Sequence, residues 1–147
     1  MSAESFSDAS FDARPYTGGC ACGAVRYAVA GEPLMMNDCQ CRHCQQRSGT
    51  GHGSYLTFKD ATVTVSGQAA TWQVTGDLGT VKGHNFCPTC GTPTHLTFPA
   101  MPEIFIVHAG SLDEPGRYQP TVALFASSGH AWDTVAPGAH RFERMPD

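Results

Sequence analysis

Apolar residues recur at every second position through much of this chain. Val25, Tyr27 and Val29 alternate with Arg26 and Ala28. Further on, Ser54, Leu56 and Phe58 interleave with Tyr55, Thr57 and Lys59. The same period continues in Val63 and Val65 and in Trp72 and Val74. A period of two marks a strand with two unlike faces. Glu103 to His108 reads EIFIVH and predicts a buried strand; Val122 to Phe125 predicts another. Turn-forming residues separate the runs: Ser66-Gly67, Thr75-Gly76, Pro88 to Gly91, Glu114 to Gly116 and Ala136 to Gly138. Only Arg42 to Ser48 carries a helical pattern, about two turns long and stopped by Gly49. The pattern predicts one mostly β domain of short antiparallel strands with little helix.

Composition supports this. The 147 residues suit a single domain, and 41% hydrophobic against 15% charged residues allows a core. Sixteen glycines and ten prolines leave little room for long helices. Met1 to Pro15 is small, polar and acidic-leaning. It is expected to be a flexible arm, with Phe6 and Phe11 as candidate anchors, ahead of a folded domain from Tyr16 to Asp147. The net charge is −4 and the nine basic residues are scattered, which argues against a nucleic-acid-binding face. No run of about 18 apolar residues offers a membrane span. The start MSAESFSDASFDARP has neither the basic end nor the apolar stretch of a secretory signal. A reducing, cytoplasmic setting is therefore expected, where clustered cysteines serve as metal ligands or catalysts rather than disulfides.

All seven cysteines fall in three clusters: Cys20-x-Cys22, Cys39-x-Cys41-x-x-Cys44 and Cys87-x-x-Cys90. Neighbours this close suit two thiolates gripping one ion from a tight turn and suit disulfides badly. Four thiolates close a tetrahedral zinc, and three leave one position open, so seven is the number for one structural and one reactive zinc. Cys87-Pro88-Thr89-Cys90-Gly91 reads as a knuckle whose glycine takes the positive φ of the turn. A redox dithiol would want a long helix after Cys90, and none follows. Thiolate-rich sites with no redox task favour zinc over iron. Spacing leaves two partitions open. Cys41 and Cys44 could join Cys87 and Cys90, stranding Cys20, Cys22 and Cys39. Alternatively Cys20 and Cys22 join Cys87 and Cys90, leaving Cys39, Cys41 and Cys44 as a local trio.

The second partition has a chemical consequence. Three thiolates and a dication carry a net charge of −1. Such an ion activates water poorly but captures another soft ligand, a substrate thiol, as a thiolate that stays nucleophilic at neutral pH. The sharper reading is therefore thiol chemistry, making or breaking a C–S bond. The plainer one is a second structural zinc, completed by His43, His52, His84, His95 or solvent.

GGCACGAVRY (Gly18 to Tyr27), CQCRHCQQRSGTGH (Cys39 to His52) and FCPTCGTP (Phe86 to Pro93) resemble the motifs of the glutathione-dependent formaldehyde-activating enzymes, also called the centromere-protein-V-like family. AGSLDEP (Ala109 to Pro115) and Trp132-Asp133 are weaker matches, and the resemblance runs from Tyr16 to Phe142. It implies the second partition, with Cys20, Cys22, Cys87 and Cys90 as structural zinc ligands and Cys39, Cys41 and Cys44 as catalytic zinc ligands. It implies an Mss4-like, mostly β zinc domain. It also implies a carbon–sulfur lyase joining glutathione, or a similar small thiol, to formaldehyde to give S-hydroxymethylglutathione. His52 follows the trio closely enough to be the acid for the developing alkoxide or a fourth ligand.

Arg42 and Arg47 flank the trio on the short helix, where they could meet ligand carboxylates or simply face solvent. Trp72 and Trp132 are expected to be core aromatics, with a pocket wall as the alternative that the family resemblance implies for Trp132. His43 is expected to point away from the metal, and His108 to be a satisfied polar edge. The competing class is a binding module, in which both zincs only shape a surface for a thiol or a protein. A cytoskeletal or chromatin role, as in some animal relatives, is disfavoured by the acidic balance and by the lack of a basic or proline-rich extension.

Overall fold

The computed structural model describes residues 13–146. Phe6, Phe11 and most of the proposed arm lie outside them. Eleven strands form two sheets. The smaller contains β1 (Tyr16–Gly19), β2 (Arg26–Ala30) and β5 (Thr62–Ser66), paired antiparallel in the order β1-β2-β5. The larger contains β3 (Met35–Cys39), β4 (Gly53–Lys59), β6 (Ala70–Thr75), β7 (Val81–Phe86), β8 (Pro93–Thr97), β9 (Ile104–His108), β10 (Val122–Leu124) and β11 (His140–Arg141). Its order is β11-β10-β3-β4-β9-β8-β7-β6. Pairing is antiparallel except at β10, which runs parallel to both β3 and β11. The single α-helix among the described residues is α1 (Arg42–Ser48), with the bounds expected from the sequence. None is long and apolar enough to cross a membrane.

The period of two decides what lies between the sheets. Leu56 and Phe58 of β4 pair with Val107 and Phe105 of β9, so all four side chains share one face of the large sheet. Tyr16, Tyr27 and Val29 of the small sheet close on them to form the main core. Phe58 is fully buried and meets the Tyr16 ring edge-on at 5.5 Å. Glu103 to His108, expected to be buried, is a strand whose alternate residues Phe105 and Val107 are buried while Ile104, Ile106 and His108 are half-buried.

The opposite face of the large sheet carries the unusual chemistry. Cys39 faces Gly53 across the β3–β4 pair, and Tyr55 is paired with His108 across β4–β9. The same face continues through Leu96 of β8 and His84 of β7 to Trp72 of β6. Helix α1 lies against this side: the Cys41, Cys44 and Tyr55 side chains share an apolar cluster with Cys39, Leu96 and Leu124. Trp72 and Trp132 are not core residues. Trp72 is 46% exposed on edge strand β6, and Trp132 is 68% exposed in a loop, stacked on His130. Their size alone did not place these rings inside.

Candidate metal and thiol centre

The seven thiols gather into two groups. The Sγ atoms of Cys20, Cys22, Cys87 and Cys90 lie within 4.8 Å of one another, as do those of Cys39, Cys41 and Cys44. Of the two partitions that spacing allowed, the fold builds the four-plus-three set with the local trio. No histidine nitrogen belongs to either group.

The four-thiol group bridges the two sheets. Cys20 and Cys22 sit in the turn after β1, and Cys87 and Cys90 in the turn after β7. Cys20 Sγ is 3.7 Å from Cys22 Sγ, which is 3.7 Å from Cys87 Sγ. Sulfurs at the corners of a tetrahedron with 2.3 Å metal–sulfur bonds lie about 3.8 Å apart, so the spacing fits one ion. The backbone supports the knuckle. The N–H groups of Thr89 and Cys90 donate to Cys87 Sγ, and Val25 N–H donates to Cys20 Sγ at 3.2 Å. Gly91 has φ 80 and donates its N–H to Cys87 O, as the knuckle reading expected. The Thr92 hydroxyl, bonded to Cys90 Sγ, is the largest of the influences that lower that thiol to about 5.

The trio is set by the end of β3 and the start of α1. Cys41 is the N-cap of the helix, and its Sγ accepts the Cys44 N–H at 3.3 Å. Cys39 is buried and the other two are half-buried. Hydrogen bonds from Cys39 and Cys44 favour ionisation of Cys41 and push it down to about 2. Cys39 is pushed up by its hydrogen bonds to Cys41 and Cys44 and by burial. Three crowded thiols thus hold one negative charge easily and three only with a cation among them, which is the donor chemistry of a soft divalent metal.

Tyr55 is the residue that sequence reasoning missed. Its hydroxyl donates to Cys44 Sγ at 3.1 Å. Burial, then the Cys44 charge, raises its pKa, so it stays protonated and remains a donor. Its ring packs on His108, with centroids 5.1 Å apart. Gly53 makes room for it, because a Cβ there would collide with the Tyr55 phenol. The sequence offered only the alternation of β4, which puts Tyr55 two residues beyond Gly53 on one face; that Cys39 faces Gly53 is known from the register of β3.

His52 is placed differently from the trio. Its Nδ1 lies 2.9 Å from both Asp133 carboxylate oxygens, and its Nε2 is 3.9 Å from Asp38 Oδ1. Asp38 also accepts from Ser54 and Tyr118 at 2.7 Å each. Asp38 and Ser54 are paired one residue away from Cys39 and Gly53, hence on the other face of the sheet. Gln40 Nε2 donates to Asp133 at 3.1 Å. The His52–Asp133 pair therefore sits on the far side from Tyr55. His43 is half-buried and stacks on Trp72. His108 Nε2 is buried without a hydrogen-bond partner rather than satisfied at an edge.

A mostly β fold with one closed-sized and one open-sized thiol cluster defines a class of cysteine-knuckle proteins. The sequence profile of the glutathione-dependent formaldehyde-activating enzymes matches residues 15–128, and the chain belongs to that family. A Halomonas elongata protein provisionally named a glutathione-dependent formaldehyde-activating enzyme is 33% identical over 101 residues. That match covers 65% of this chain and 64% of the relative's length. The crystal structure of a Rhodobacter sphaeroides protein is similar at a TM-score of 0.51 and 29% identity, covering 66% of this chain and 87% of that one.

Proposed function

We propose that this chain is a zinc-dependent carbon–sulfur lyase joining a small thiol, glutathione by family, to formaldehyde. Cys20, Cys22, Cys87 and Cys90 hold a structural zinc, and Cys39, Cys41 and Cys44 hold a catalytic one. The observation that carries the reading is the four-plus-three grouping of the thiols, with no protein nitrogen completing the trio. Bound there, zinc supplies one open position that keeps a substrate thiol ionised. The chain's residues do the rest. Cys39, buried at the end of β3, and Cys44, held by the Tyr55 hydroxyl, fix two corners of the site. Cys41 fixes the third while capping α1. The apolar wall of Leu96, Phe98 and Ile106 limits water around the reacting carbon.

In the reaction the thiolate sulfur forms a bond to the aldehyde carbon, the C=O π pair moves to oxygen, and that oxygen takes up the proton the thiol gave away. Nothing is oxidised or reduced. Asp133 holds His52 with Nδ1 as donor, which turns Nε2 toward Asp38.

The test is direct. Zinc per chain is measured, then glutathione–formaldehyde exchange is followed by NMR with and without protein. Two zincs and accelerated exchange are expected. Two zincs without acceleration would favour a thiol-binding module, and one zinc would remove the two-site reading. A finer check is Tyr55→Phe. Loss of one hydrogen bond to a charged sulfur is expected to cost about 1.5–3 kcal/mol of site stability. In cobalt-substituted protein the sulfur-to-metal band should move to longer wavelength, because Cys44 becomes the richer donor. An unchanged band would mean that the hydroxyl does not act on the thiolate.

A further inference from the structure

Arg47 differs from four other arginines of the described residues, while Arg141 and Arg144 are exposed. Arg14 pairs with Glu114, Arg26 with Asp113, and Arg42 donates to Gln45 Oε1. Arg117 donates to the carbonyls of Arg14 and Pro15. Arg47 is half-buried, yet among the described residues it has neither a salt bridge nor a hydrogen bond, and its Nε is buried without an acceptor. What holds it is aromatic: the guanidinium carbon lies 5.7 Å from the Trp72 ring centroid and 5.8 Å from that of Phe86.

Its position relates it to the trio. Arg47 is three residues after Cys44 and four after His43, so the three share one face of α1. His43 and His84 both stack on Trp72, with centroids 5.5 and 5.7 Å away. Their Nε2 atoms are 3.1 Å apart. Among the described residues no carboxylate pairs with any of these groups. Burial first, then Arg47, His43 and Lys82, lowers His84 to about 4, against an opposing pull from Cys41.

We propose that Arg47, braced on Trp72 and Phe86, anchors a carboxylate of the substrate thiol and makes the site selective for anionic thiols of the glutathione kind. The inference rests on the reading of the trio as a thiol-capturing centre. A guanidinium fixed by stacking on rings loses little freedom when it binds and keeps its donor edge for a planar anion. Partial burial strengthens the charge pair relative to one in bulk water. One turn of helix, about 5 Å along the axis, separates Arg47 from the thiol corner, a span suited to a sulfur and a carboxylate joined by a few bonds.

Thiol binding is read from the visible spectrum of the cobalt-substituted protein, using glutathione, its diethyl ester, which lacks both carboxylates and keeps the ammonium, and 2-mercaptoethanol, which is neutral. The parent protein should bind glutathione about tenfold or more tightly than the diester. Arg47→Gln should erase that preference by weakening glutathione alone, with the melting curve unchanged, and Arg47→Lys should restore part of it. Equal weakening of all three thiols, or of none, would overturn the assignment while leaving the thiol centre standing. A parent protein whose spectrum no thiol perturbs would overturn both.

Discussion

Replacing Cys87 with alanine is expected to unfold the corner that joins the two sheets and to take most of the domain's stability with it. Cys87 is fully buried at the exit of β7, and its sulfur is 3.7 Å from that of Cys22, 65 positions away in the chain. Besides the sulfurs, the Ala21 N–H donates to Thr92 Oγ1 at 3.1 Å across this corner, and apolar packing there is slight. Its apolar cluster contains only Cys20, Val25 and Cys87, with Ala69 against it. The main core, around Leu56 and Phe58, is a separate cluster. A structural zinc contributes about 10–16 kcal/mol in small zinc peptides. Losing one of four thiolates should remove several of these, against a total domain stability of about 5–15 kcal/mol. A loss near 5 kcal/mol lowers the melting temperature by about 20 °C in a domain of this size. Thermal melts by circular dichroism should show this fall, and a strong chelator should produce a similar fall in the parent protein. A variant that melts with the parent would show that the four-thiol cluster is not closed by metal.

The elements that were legible in the sequence are those where local rules and tertiary demand agree. Helix α1 was readable because Gly49 stops it and the residues before it are helix formers. Strands β2, β4 and β5 were readable because one of their faces meets the main core and the other does not. Strand β3 was not, since MMNDC shows no alternation and buries Asn37 and Asp38. The cost of burying them is offset by hydrogen bonds from Thr57, Ser54 and Tyr118, which no local window reveals. Strands β7 and β8 hid for the same reason: they bury His84, Asn85, Thr94 and His95, with Thr71 and Thr97 bonded to Asn85. The parallel pairing of β10 depends on a long return of the chain and leaves no local mark.

The candidate site divides in the same way. The ligand residues were plain from spacing, but their grouping was not, because Cys22 meets Cys87 only through the packing of one sheet on the other. Tyr55 acts through position rather than motif, whereas Arg47 lies within the Cys39 to His52 motif. Tyr55 lies two residues beyond Gly53 on the same face of β4, and Arg47 lies three residues after Cys44 on α1. Asp133 becomes the partner of His52 across 81 positions.

Cys41→Ala should have the opposite phenotype from Cys87→Ala, a folded protein without turnover. Cys41 is half-buried at the rim, and the trio lies outside the main core. The structural cost is the lost cap, in which Cys41 Sγ accepts the Cys44 N–H, worth about 1 kcal/mol. The chemical cost is far larger. Two thiols cannot present the three-corner site, and even residues that only support metal ligands are worth about 10–100-fold in activity. Thiol-dependent exchange should therefore fall by more than about a hundredfold. One zinc per chain should remain, on the four-thiol cluster, and the melting temperature should drop only a few degrees, by about the value of the cap. Cys41→Ser separates the two roles. Serine is a strong N-cap and a poor zinc ligand, so it should return the melting temperature to the parent value and leave turnover absent. Normal turnover in either variant would exclude Cys41 from the reactive centre. Unfolding on the scale of Cys87→Ala would mean that the trio, and not the four-thiol corner alone, holds the sheets together.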